Sequence, residues 1–253
     1  MNPSRDFVLD SSVVLSDVFE NQRYRSRVEK MKQDAKTLKI DCYVTPTIFT
    51  ECTGRVGTLY RFLKSTILEL YSFVLREKGT DVYSSAGVKL EEKDQVLIER
   101  FFLFTVKDEK GPFNTEKEQL EQIETWIIKF LEEQRAKKKE VLVDQFFVQC
   151  IVQLNRLSTN MQNRLILFSR NLLKVMDDPV FVAKLKGCLP SPTPNDKDLA
   201  IITEVANYMT TGRKAVLVAL DYRELVRNAD PIEREVGVRV CDPLYARYWV
   251  EQI

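Results

Sequence analysis

Two apolar runs at opposite ends of the chain, FVL (7–9) and KAVLVAL (214–220), each run straight into an aspartate, Asp10 or Asp221. Neither run alternates apolar with polar residues, so each reads as a strand covered on both faces, the mark of a parallel sheet. CYVT (42–45) is a third strand, and Pro46 behind it suits the first turn of a helix. VGVRVC (236–241) is a fourth, preceded by a short helix in DYRELVRNA. A further helix over Asp198–Thr210 is marked by apolar residues at Leu199, Ile202, Val205, Ala206 and Met209, with start chemistry in Pro194-Asn195-Asp196. Strand–helix–strand alternation at both ends requires crossover connections, so the two ends form one mostly parallel α/β sheet sandwiched by helices.

The middle of the chain carries helical periodicity instead. Leu59, Leu63, Ile67, Leu70, Tyr71 and Val74 share one face; Leu120, Ile123, Ile127, Phe130 and Leu131 share another. Val143, Phe147, Cys150, Ile151 and Leu154 form a third stripe, Met161, Leu165, Phe168, Leu172 and Val175 a fourth, and residues 91–106 a fifth helix. Such stripes are the core-facing sides of packed helices. The expected organisation is an α/β core of residues 1–55 and 190–253 with a large all-helical insertion at 56–189. Loops are expected at Lys110-Gly111-Pro112 and Pro190–Pro194.

Composition restricts the chemistry mainly by an absence. The 253 residues include no histidine, which excludes Ser-His-Asp and Cys-His nucleophilic sites and His-ligated zinc. The five cysteines are scattered and never spaced C-x-x-C, which suits free thiols in a reducing cytoplasm. No apolar run reaches the roughly 18 residues a bilayer requires, and the first residues lack a basic segment followed by an apolar core. Catalysis must then run on carboxylates, lysine, hydroxyls, cysteine or a carboxylate-bound metal.

Four acids recur at strand ends or in the helices behind them: Asp10, Glu51, Asp198 and Asp221. In an open parallel sheet the crevice beyond the carboxyl ends of the strands is where ligands bind. Carboxylates gathered there repel one another unless a cation lies among them, and Mg2+ or Mn2+ is the natural oxygen-liganded choice. Such an ion can activate a water and neutralise charge on a phosphoryl oxygen without histidine. Asp196 competes with Asp198 for a place among the ligands, and Ser11 and Ser12 stand behind Asp10 both as supports and as helix starters.

FVLDSS, TPTIFTE, DKDLAIITEVANY and VLVALDYREL together resemble the four motifs of PIN-domain ribonucleases, mapped onto Asp10, Glu51, Asp198 and Asp221. The resemblance covers roughly residues 5–55 and 190–250. It implies a PIN-like sheet between helices, an Mg2+ or Mn2+ site and hydrolysis of RNA phosphodiester bonds. The overall plan, and the tail GVRVCDPLYARYWV, is also similar to the HARP kind of protein-only RNase P, known as RNA ligase partner proteins, which process tRNA 5′ ends. The sequence departs from the family at Ser11, where threonine is usual, and at Ala219, where the family has a hydroxyl residue. Ala219 and the insertion motivate an alternative, a scaffold that binds RNA or protein without cutting. A toxin of a toxin–antitoxin pair is a third reading, against which the extra helices count.

RNA phosphates require cations, and two stretches supply them. A helix over residues 20–40 carries Arg23, Arg25, Arg27, Lys30, Lys32, Lys36 and Lys39 among few acids, and Gln145–Met176 carries Arg156, Arg164, Arg170 and Lys174 with none. The run Arg135–Lys139 is cancelled by Glu132, Glu133 and Glu140. The expected partners are RNA, a second copy of the chain through the helical insertion and, on the toxin reading, a small antitoxin protein; no membrane is expected.

Overall fold

The computed structural model describes residues 5–20, 22–107, 117–136, 140–175, 179–189 and 194–252. The loop expected at Lys110-Gly111-Pro112, most of the one at Pro190–Pro194 and Lys137–Lys139 of the basic run lie outside them. The chain divides into two compact units, Met1–Gly54 with Gln162–Ile253, and Arg55–Met161.

The first unit is built on four parallel strands, β1 (Arg5–Leu9), β2 (Cys42–Tyr43), β3 (Lys214–Val218) and β4 (Arg239–Cys241), in the order β2-β1-β3-β4. Phe7, Val8 and Leu9 are buried, as their unbroken apolar character demands of an inner strand. Pairing of Leu9 with Val218 and of Val218 with Cys241 lines up the carboxyl ends of β1, β3 and β4. Past β1 the chain turns through α1 (Ser11–Val18) and α2 (Gln22–Leu38) to β2 on one side. Past β3 it turns to β4 on the other, so strand order reverses between β1 and β3. That reversal opens the crevice in which open α/β sheets hold ligands, and Asp10 and Asp221 flank it.

Helix α8 (Asp196–Met209) packs on β3 and buries Leu199, Ile201, Ile202 and Val205. Each such side chain contributes about 1.5–3 kcal/mol of burial. At the amino edge of the sheet, Asp6 is buried and paired. Its Oδ2 accepts the Tyr208 hydroxyl at 2.6 Å and Arg213 Nε at 3.1 Å.

Several elements differ from their sequence reading. The third and fourth apolar stripes belong to one helix, α6 (Val143–Ser169), which has no glycine or proline to break it. Leu172 lies beyond its end and bridges Val44 beside the sheet. Residues 162–189 therefore group with the sheet rather than with the insertion, and they include α7 (Pro179–Cys188), which packs on α8. DYRELVRNA is no helix: Asp221 caps a turn, a 3-10 turn follows at Val226–Asn228, and α9 spans Ala229–Val236. Gly237, at φ 72°, ends α9 in the left-handed conformation glycine tolerates, which delays β4 to Arg239.

The second unit is helical, with most of α3 (Pro46–Glu77), α4 (Glu92–Lys107), α5 (Lys117–Ala136) and the first part of α6. Leu59, Leu63, Ile67, Leu70 and Val74 of α3 are all buried, as their spacing predicts. Rings of Trp126, Phe130, Phe146, Phe147 and Tyr71 pack in a chain with centroids 5.0–5.8 Å apart. The charges inside this unit are matched: Lys78 Nζ lies 2.7 Å from Asp94, and Tyr71 donates to Asp144 at 2.7 Å. No described helix is long and apolar enough to cross a membrane.

Candidate functional site

Asp10 sits where β1 gives way to α1, and it is 2% exposed. Its Oδ2 caps the helix, accepting Ser12 N–H at 2.9 Å and the Ser12 hydroxyl at 2.5 Å. Oδ1 is buried and, among the described residues, meets no donor. The same Ser12 hydroxyl accepts Leu220 N–H at 2.9 Å, and Asp10 N–H donates to Val218 carbonyl at 2.9 Å. Ser12 thus fastens the end of β3 to the end of β1 directly beneath the acid. Ser11 contributes its carbonyl, which faces the Cys52 thiol at 4.0 Å. Burial pushes the Asp10 carboxyl up to about 6; the Ser12 hydroxyl and N–H and the Ser11 backbone pull it down, and the Glu51 charge adds to the rise.

Glu51, one turn and a half into α3, is half-buried beside Cys52. Burial, then the charges of Glu51 and Asp10, push the Cys52 thiol far up, so it is no nucleophile.

Asp198 lies in the first turn of α8, 8% exposed, behind the Asn195 cap. Asn195 Nδ2 donates to Asp198 Oδ2 at 2.8 Å and to Glu224 Oε2 at 2.8 Å, and Asn195 N–H donates to Glu224 at 3.0 Å. Burial pushes Asp198 up to about 8, helped by a hydrogen bond with the Glu224 carboxyl and by the charges of Asp10, Glu224 and Asp221. Glu224 moves the other way, held low by its bond with Asp198 and by Asn195 N–H. The opposite shifts belong to one coupled pair of carboxyls bridged by the Asn195 amide. Asp221 uses Oδ1 to accept Arg223 and Glu224 N–H at 2.9 and 3.0 Å, which brings Glu224 round toward Asp198.

The structure thus links the four predicted acids in one electrostatic neighbourhood, Glu51 to Asp10 and Asp10 with Asp221 to Asp198. It adds Glu224, which sequence reasoning missed. Among the described residues no three Cys, Asp or Glu side chains stand at the spacing of a metal centre. Asp196 is apart from the group: it is exposed and ion-paired with Lys186 at 2.7 Å. Glu204, buried in α8, accepts the Thr47 hydroxyl at 2.8 Å and was not singled out in the sequence either.

The predicted cations divide in two. Arg27 is committed to Asp242 at 2.8 Å and to the Tyr222 hydroxyl at 2.6 Å. Arg164 pairs with Glu20 and reaches Asp17 carbonyl at 3.1 Å, and Lys32 pairs with Asp17. Arg25, Lys30, Arg170 and Lys174 are exposed, and so is Arg156 on the helical unit; Arg23 is exposed with its guanidinium over the Tyr24 ring, 5.2 Å from the centroid. Compared with protein-family models, with curated proteins and with solved structures, the chain has no significant match.

Proposed function

We propose that the chain is a metal-dependent endoribonuclease of PIN type, with Asp10, Glu51, Asp198 and Asp221 as its acidic residues and Glu224 as a fifth. The observation that carries this reading is Asp10 Oδ1, a buried carboxylate oxygen with no donor, in a neighbourhood of further carboxylates at the strand-order reversal. An oxygen-only donor set without histidine or reactive thiol suits a hard divalent cation such as Mg2+ or Mn2+. Asp10, Glu51, Asp198 and Asp221 would hold it directly or through water, with Glu224 alongside; when bound, the ion supplies a polarised water and neutralises charge on the phosphoryl group. Ser12 keeps Asp10 in place, and the Asn195 amide orients Asp198 and Glu224 together. A cation needs both carboxylates ionised, and with Asp198 raised to about 8 by burial, tighter cation binding is expected as pH rises toward 8.

A second reading, a scaffold that binds without cutting, is favoured by the Asn195 amide, which donates to both Asp198 and Glu224 and so holds the two carboxyls together without an ion. One experiment separates the two. Mixed structured and unstructured RNAs are incubated with the full chain in Mg2+, in Mn2+ or in EDTA. Cleavage that needs metal, is lost in Asp10→Asn and Asp198→Asn, and survives in Asp196→Ala supports the enzyme. Metal-independent cleavage, or cleavage untouched by Asp10→Asn, refutes it, and intact RNA under every condition leaves the scaffold.

A further inference from the structure

Beside Asp221 the surface is aromatic. The Tyr222 ring is 46% exposed, and its hydroxyl is held by Asp242 and by Arg27. Asp242 also caps the Pro243–Tyr245 turn, accepting Leu244 N–H at 2.7 Å, so Tyr222 is tied to the start of α10 (Ala246–Gln252). Tyr245 and Tyr248 are 58% and 53% exposed and stand three residues apart, on one side of that helical turn. α2 packs against the same turn through Arg27–Asp242 at 2.8 Å and Arg247–Asp34 at 3.7 Å. Arg23 and Lys30 lie four before and three after Arg27, so they share its face of α2, and both are exposed. Arg223, next to Tyr222, is exposed too.

Three exposed rings edged by exposed cations make a surface of defined chemistry. Flat rings beside guanidinium and ammonium groups suit bases and phosphates together. Only unpaired bases can use the rings, because in a duplex the base faces are already stacked. The hydroxyl tether of Tyr222 fixes its ring in advance, which lowers the ordering cost of stacking on it.

We propose that Tyr222, Tyr245 and Tyr248, with Arg23, Lys30 and Arg223, form a platform that receives an unpaired RNA strand beside the acidic crevice. This rests on the ribonuclease reading for the identity of the ligand, but it concerns binding and not cleavage. The test is fluorescence polarisation in EDTA with labelled oligoadenylate and with an RNA duplex of the same length, using the full chain. The wild type binds the single strand more tightly than the duplex. Tyr245→Ala with Tyr248→Ala weakens single-strand binding by about tenfold or more and leaves the duplex nearly unaffected, while the paired phenylalanine substitutions retain binding. Equal single-strand affinity in the wild type and the alanine variant overturns the platform, as does a wild-type preference for duplex. No binding to either RNA also overturns it and assigns the surface to a protein partner. Loss of the platform would leave metal-dependent cleavage standing, and strand binding without cleavage would keep the platform while removing the nuclease.

Discussion

Replacing Asp10 by asparagine should make the metal-free protein more stable at neutral pH. In the native state burial holds the Asp10 carboxyl at about 6 against an ordinary value of 3.8. That difference corresponds to about 3 kcal/mol. Between those two pH values the native chain keeps a proton that the unfolded chain has released. Stability therefore falls as pH rises from about 4 to about 6, and the full cost is present at pH 7. Asparagine keeps an oxygen for Ser12 N–H and hydroxyl, and it caps helices as well as aspartate does. The variant should recover most of that cost at pH 7, a rise of about 1 M in urea midpoint, and little at pH 4, where the wild-type acid is already largely neutral.

The chain has two tryptophans, Trp126 in the helical unit and Trp249 in the sheet unit. A Trp126→Phe background therefore lets fluorescence follow the unit that contains Asp10. Urea titrations in EDTA at pH 4, 5, 6 and 7 give the difference between variant and wild type at each pH. A gain of equal size at pH 4 and pH 7 would show that the effect is not the buried charge. A loss at pH 7 would refute the assignment of Asp10 as an uncompensated carboxylate. Added Mn2+ should reverse the ranking, because an ion bound only to the native wild type stabilises it by mass action.

Two further substitutions probe how the site is held. Ser12→Ala removes the donor to Asp10 and the acceptor for Leu220 N–H, so it should cost about 1–3 kcal/mol in urea titration; a change within about 0.5 kcal/mol would remove Ser12 as the fastening of β1 to β3. Arg27→Ala leaves Asp242, 3% exposed, with the Tyr222 hydroxyl and Leu244 N–H but no cation, and should cost a similar amount; Arg27→Lys should restore only part of it, because the lysine side chain is one bond shorter than the reach of Nη1, the atom that donates to both Asp242 and Tyr222.

Much of this arrangement is legible in the chain. The apolar runs at 7–9 and 214–220 place Asp10 and Asp221 at strand ends because only a doubly covered parallel strand uses residues that way. The choice between Asp196 and Asp198 was also decidable. Asp198 stands three, four and seven residues before the buried Ile201, Ile202 and Val205, so helical period turns it inward and Asp196 outward. The unity of α6 was obscured by the polar run at Asn155–Asn160, although nothing in it breaks a helix. Glu224 was beyond reach. It arrives at Asp198 only because Asp221 caps the intervening turn and Asn195 bridges the two carboxyls, and no periodicity encodes a contact across that separation. The grouping of residues 162–189 with the sheet unit is illegible for a similar reason, since the bridge of Leu172 to Val44 is a tertiary pairing.

With 38 basic and 37 acidic side chains, the chain has cations enough for its acids, so their placement is informative. Asp6 has Arg213 and Tyr208, Asp242 has Arg27 and Tyr222, and Asp94 has Lys78. Asp10, one residue past the strand that carries Asp6 and buried as deeply, has Ser12 on one oxygen and meets the charge of Glu51, and Asp198 meets those of Asp10, Glu224 and Asp221. Folding alone would favour a neutral residue or a cationic partner at either position, since an uncompensated buried carboxylate only subtracts stability. Among the described residues of the sheet unit, carboxylates gather at the crevice where such sheets bind ligands. A site that is costly when empty and relieved by positive charge is what the proposed cation-binding centre requires. The exposed tyrosines and cations beside Asp221 would then bring a polyanionic strand to a region that repels it unless the ion is there.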